Sequence, residues 1–103
     1  MFLFPFPGYR KLTEVFDSHL SLKETVTSLL EKETNACKHV AFHYKMKSID
    51  RHKLERCKNP GENVLGYLET KHPDLTVYHF CKVLKDKDIR RLDIVNELVD
   101  YLI

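Results

Sequence analysis

His39 and His43 stand four residues apart, which on a helix puts two imidazoles on one face at a spacing that zinc-binding helices use. The residue after His39 is Val40, so the carboxylate of the His-Glu-x-x-His signature is missing, and no second compact Cys/His pair supplies further ligands. Flanked by Lys38 and Lys45, these histidines read as solvated surface groups, and no metal or other cofactor is expected. Cys37, Cys57 and Cys81 could offer a thiolate to one of the six histidines of the chain. Each falls on an apolar stripe, however, where a cysteine packs as a small hydrophobe. Paired carboxylates, a Gly-x-Ser-x-Gly elbow and a glycine-rich phosphate cradle are all missing, so no catalytic residue and no small-molecule substrate is expected.

The charges carry more information. The net charge is only +2, yet it is segregated along the chain: Thr13 to Glu33 carries −3, Lys38 to Lys58 +5, Gly61 to Asp74 −2, Leu75 to Arg91 +3 and Leu92 to Ile103 −3. Lys45, Lys47, Arg51, Lys53, Arg56 and Lys58 could form one positive patch on neighbouring helices, which admits a small basic nucleic-acid-binding domain as the alternative function. The near-neutral total and three acidic segments favour a protein-docking face instead.

Helices are the elements that must position these charges. Ser21 to Lys32 sets Leu22, Val26, Leu29 and Leu30 on one stripe, with Ser21 and Glu24 in the positions of a capping box. A shorter segment ahead of it, Leu12 to His19, offers Leu12, Val15 and Phe16. Ala36 to Met46 aligns Cys37, Val40, Ala41 and Tyr44. Ser48 is placed to cap a helix through Cys57 with Ile49, Leu54 and Cys57 inward, and Asp50 at its positive end. Asn59-Pro60-Gly61-Glu62 is a helix start, and Val64, Leu65 and Leu68 form the inner face of Gly61 to His72 before Pro73 stops it. Thr76 caps a helix with Val77, Phe80, Cys81 and Leu84 inward, and a last helix from about Asp88 carries Leu92, Val95, Leu98, Val99 and Leu102. Helices with one apolar face each and short links must share a core, so the expected fold is all-α, an antiparallel bundle.

The run Cys37 to Met46, with Val40-Ala41 and Tyr44, resembles the second helix of death domains. Asn59 to Leu68, then Leu75-Thr76-Val77, Phe80 and Leu84, then Arg91, Asp93, Val95 and Leu98, are similar to the fourth to sixth helices of that superfamily. The resemblance covers Ser21 to Ile103 and implies a six-helix bundle that assembles homotypically with itself or with other death-domain proteins, in apoptotic, innate-immune or guidance-receptor signalling. Cys37 stands where that family carries Trp, so Phe80, Tyr44 or Phe16 must fill the centre of the core. Complementary charged faces would hold the complex, with Lys45, Lys47, Arg51, Lys53 and Arg56 on the basic side and Glu62, Glu69 and Asp74 on the acidic side.

The domain therefore spans residues 21–103, and residues 1–20 form an apolar extension with a short helix. Phe2, Leu3, Phe4, Phe6 and Tyr9 are expected to cover a groove of the bundle rather than enter a lipid surface. Met1 to Pro7 is too short and too proline-rich for a signal-peptide core, and no stretch approaches the ~20 apolar residues of a membrane span. Three cysteines without a paired framework fit a reducing interior, so a cytoplasmic setting is expected, alone or as the intracellular part of a larger protein.

Overall fold

The computed structural model describes residues 10–102. Seven α-helices follow one another, α1 Leu12–Ser18, α2 Leu20–Glu31, α3 Thr34–His43, α4 Ser48–Leu54, α5 Pro60–Lys71, α6 Val77–Leu84 and α7 Leu92–Leu98, and α7 tightens into a 3-10 turn over Val99–Tyr101. No strand occurs among the described residues, only an isolated antiparallel bridge between Lys11 and Thr76. The fold is a helical bundle in which α2 packs on α1, α3, α5 and α7, α3 on α4, α5 and α6, and α6 on α7.

Phe16, Phe80, Leu30, Leu65, Leu68, Leu84 and Ile94 are the large fully buried side chains at the centre, with Tyr44 beside them. Cys37 is fully buried and its thiol donates to the Leu30 carbonyl at 3.1 Å, so the small side chain also satisfies its one polar atom. Leu12, Val15 and Phe16 belong to the same apolar cluster as the later helices. No break in the core falls at residue 20, and α1 is pinned further by Leu12 N–H to the Leu75 carbonyl (2.8 Å) and Val77 N–H to the Arg10 carbonyl (2.9 Å). The Phe-rich stretch from Phe2 to Tyr9 lies outside the described residues.

Helix ends follow the sequence in part. The Thr76 hydroxyl accepts from His79 N–H at 3.1 Å and starts α6, and Asn59 precedes Pro60 at the first position of α5. The Ser21–Glu24 capping box does not form, because His19 alone separates α1 from α2 and the helix begins at Leu20, two residues too early. Ser48 is likewise inside α4, with extended Lys47 as the preceding cap residue. Only Leu54 of α4 is buried, and Ile49 is 66% exposed. At the other end, residues 86–91 form a loop closed by Arg91 N–H on the Leu84 carbonyl at 2.9 Å, so α7 starts at Leu92 and not near Asp88. Ile94 takes the core position, which leaves Leu92 57% and Val99 44% exposed.

Arg91 is the one buried charged residue of the described chain. Its Nη2 donates to the Leu29 carbonyl (2.6 Å) and Asp93 Oδ2 (2.7 Å), and Nε donates to Asp93 Oδ1 (3.0 Å), tying the start of α7 to the end of α2. The guanidinium holds the Asp93 carboxyl below its ordinary value, chiefly through these hydrogen bonds.

The two glycines of α5 have opposite roles. A Cβ on Gly61 would lie 2.7 Å from the Thr27 carbonyl oxygen and 3.0 Å from Leu30 Cβ, so glycine permits the close approach of α5 to α2. A Cβ on Gly66 meets nothing within 4 Å. Gly61→Ala is therefore expected to cost about 1–3 kcal/mol. Gly66→Ala should add up to about 1 kcal/mol through helix propensity alone. Thermal melting of the two variants checks the opposite signs.

Candidate docking faces

Of the cations nominated from the sequence, Lys45 and Arg51 line one pocket beside the turn between α3 and α4, whereas Lys53 lines another. That turn is a Schellman closure: Met46 N–H donates to the Ala41 carbonyl at 3.0 Å and Lys45 N–H to the Phe42 carbonyl at 3.0 Å, with Lys45 at φ 62°. Glycine is the usual residue there, because a Cβ in the left-handed region costs about 1–2 kcal/mol. A lysine thus occupies a position that local stability would give to glycine. Lys45→Gly should raise stability by about 1 kcal/mol, read as a higher melting temperature.

Arg51 is held in place from two sides. Its Nε donates to the Met46 carbonyl at 3.2 Å and its guanidinium carbon lies 4.9 Å from the centre of the Phe42 ring. Phe42, His43, Lys45, Met46 and Arg51 line one surface pocket of about 370 Å³. Lys47 and Arg56 are exposed, and Lys53 stands 3.9 Å from Asp50 one turn away. Lys38 pairs with Glu55 and holds that carboxyl below its ordinary value, mainly by hydrogen bonding. Asp50 in the first turn of α4 and Arg51, His52 and Lys53 in the last also suit the helix dipole. Among the described residues Lys45, Lys47, Arg51 and Arg56 pair with no acid, so four of the five nominated cations are available to a partner.

The nominated acids are less free. Glu69 is half-buried and bound by Lys23 at 3.0 Å, and Asp74 meets Lys11 at 3.2 Å. Glu62 is exposed in the first turn of α5 and pairs with no cation among the described residues. Glu62 and Glu69 line an open groove of about 970 Å³ between α2 and α5, whose wall also carries Lys23, Glu24 and Lys71. That groove is of mixed sign. Asp74 lies outside it, in a smaller cleft with Tyr44, His72 and His79.

Several residues of catalytic or metal-binding types are held by contacts within the bundle. Burial pushes the Cys37 and Cys81 thiols up to about 11, away from the thiolate a nucleophile requires. His39 is exposed and His43 Nε2 sits 3.7 Å from Asp86. His72 Nε2 lies 2.9 Å from the Tyr44 carbonyl, which also accepts from the Tyr67 hydroxyl at 2.8 Å, so the free C-terminal carbonyl of α3 is satisfied by α5 and its following residue. The described residues hold no group of three or more His, Cys, Asp or Glu arranged for a metal ion.

Sequence reasoning passed over Phe42, which lies off the apolar stripe and is 62% exposed, and Arg90, which holds φ 47°. Positive φ at two exposed cations, Lys45 and Arg90, is a backbone signal that residue types do not reveal. Fold and site together define a class: a small helical bundle with a surface pocket in which Lys45 and Arg51 stand beside an exposed aromatic, Phe42. Comparison of the chain with protein-family models, curated proteins and solved structures finds no match. No described helix is long and apolar enough to cross a membrane.

Proposed function

We propose that this bundle is a non-catalytic docking module of the death-domain type, which associates with copies of itself or with other death-domain proteins in intracellular signalling. The observation that carries the reading is the α3–α4 face, where Arg51 is preorganised over exposed Phe42 beside Lys45 and neither cation is neutralised within the described chain. An arginine packed on an aromatic is the composition of an interface hot spot. The order α2 to α7 supplies the six helices that the resemblance calls for, with α1 as an additional helix ahead of them. Val40 and Ala41 are buried in α3, Phe16 and Phe80 are buried in the same apolar cluster as Cys37, and Arg91 clasps Asp93 in the Arg-x-Asp element.

Light scattering after size exclusion tests the proposal, across a protein concentration series at low and moderate salt. The wild type should gain mass with concentration and lose that gain as salt shortens the Debye length. Reversing Arg51, Lys53 and Arg56 together to Glu should weaken association by about an order of magnitude, since each exposed pair contributes up to ~1 kcal/mol. Equal assembly of both proteins, each folded by circular dichroism, would sink the reading. A wild type that stays monomeric throughout confines it to a heterotypic partner. In that case a nucleic-acid titration comes next, because phosphate binding would show its own steep salt dependence.

A further inference from the structure

Two turns of this chain end in the same way. Lys45 closes α3 and Arg90 closes the turn of residues 86–89, both in the left-handed region, at φ 62° and 47°. Each donates its amide to a carbonyl one turn back, Lys45 to Phe42 at 3.0 Å and Arg90 to Asp86 at 2.8 Å. Glycine or asparagine is the ordinary residue at such a closing position, and these are the only non-glycine residues with positive φ among the described residues. Both are exposed cations, and neither pairs with an acid among the described residues. The two turns adjoin. His43, two residues before Lys45, holds Nε2 3.7 Å from Asp86 Oδ2, and Asp86 supplies the carbonyl that the Arg90 amide meets. Asp86 is engaged on both oxygens, since Oδ1 accepts from Asp88 N–H at 3.0 Å. Backbone energy is thus given up twice, at neighbouring places, to set a cation where packing asks for none, and strain of this kind marks ligand clamps.

We infer that this end of the bundle binds a small ligand bearing two or more phosphate groups, one seated in the Lys45–Arg51 pocket and another at Arg90. The pocket is prepared for an anion. Arg51 spends Nε on the Met46 carbonyl and lies over Phe42, which leaves both Nη nitrogens without a partner among the described residues. Lys45 and His43 share the lining, and no acid does. Charge-assisted hydrogen bonds to phosphate oxygens suit such a set of donors. Beside Arg90, Lys87 is exposed and pairs with no acid among the described residues. Phosphate monoesters concentrate charge, and two cations fixed on adjoining turns give a compact ligand two separate anchors. A nucleic-acid chain fits less well. The net charge is only +2, and a long polyanion leaving this end would run toward the acidic segments of the chain. The site stands on its own geometry and goes beyond the docking reading, although a bound ligand would cover the Phe42–Arg51 surface that docking uses.

Isothermal titration calorimetry of the full chain with soluble inositol trisphosphate tests this, beside flotation with phosphatidylcholine vesicles that carry the same head group on phosphatidylinositol bisphosphate. One ligand should bind per chain, more weakly as salt rises. Lys45→Gly and Arg90→Gly should each weaken binding about tenfold, the share of one charge-assisted hydrogen bond. Both variants should nevertheless melt at a higher temperature than the wild type, because glycine relieves the backbone. That opposition separates loss of the site from loss of the fold. Lys58→Ala, which removes an exposed cation from the link between α4 and α5, should bind as the wild type does. Binding of the soluble ligand alone assigns a free phosphate compound, and flotation in addition assigns a lipid head group; both sustain the site. Absence of binding in either form, an equal loss in Lys58→Ala, or unchanged binding in both glycine variants overturns it. Tighter binding of a short single-stranded RNA than of inositol trisphosphate overturns it in favour of nucleic acid. None of these outcomes touches the association of the chain without ligand, on which the docking reading is judged.

Discussion

Phe16→Ala is expected to lower the unfolding free energy by about 3–5 kcal/mol, the range for deleting a buried phenylalanine. Phe16 is 1% exposed and is among the largest fully buried side chains. The ring enters the core from α1, packed with Leu12 and Val15 on the same cluster as Phe80 and the leucines of α2, α5 and α6. Backbone bonds from Leu12 to Leu75 and from Val77 to Arg10 leave α1 little freedom to collapse into the resulting space. Since small domains have a total stability of about 5–15 kcal/mol, a large part of the folding free energy is at stake. Urea unfolding at fixed temperature gives the change. A loss under about 1 kcal/mol would mean that α1 is a loosely attached extension and that the working domain begins near Ser21.

The second large effect is expected at Arg91. Arg91→Met should cost about 2–4 kcal/mol: hydrogen bonds from a charged donor contribute about 1.5–3 kcal/mol each before compensation, and the Leu29 carbonyl is left without its donor. The ionic share of the loss is discounted, because Asp93 is 46% exposed and can be resolvated. A pH series separates the two shares. Asp93 titrates below its ordinary value in the folded protein, so its contribution is complete above the unfolded value of about 3.9 and disappears as pH falls through the lower folded value. Chemical unfolding from pH 6 downward, each about a unit apart, should show an acid-side loss in the wild type that is reduced in Asp93→Asn and in Arg91→Met. An unchanged acid limb in both variants would show that the Arg91–Asp93 pair does not set it.

Much of the helical framework is legible in the residues. Val26 and Leu30, Cys37 and Val40, Leu65 and Leu68, and Phe80 and Leu84 are buried as their spacing requires, because a 3.6-residue period is a local property. The Thr76 cap is legible for the same reason. Ile49, Leu92 and Val99 mislead, since apolar character alone does not say whether a helix end reaches the core. The sites divide along the same line. Lys45 and Arg51 are close in sequence and share one pocket, whereas Glu69 lies 46 residues from the Lys23 that neutralises it.

The sequence by itself determined an all-helical chain, the order of its helices to within a few residues at their ends and the segregation of its charges, since each depends on residues within a turn or two of one another. Only the tertiary structure decided that α1 completes the core, that Arg51 rests on Phe42, that Lys45 adopts a glycine conformation and that Glu69 and Asp74 are occupied by Lys23 and Lys11. Packing is the physical reason. Exposure and pairing depend on which helix faces meet in space, and residues far apart in the chain make those meetings.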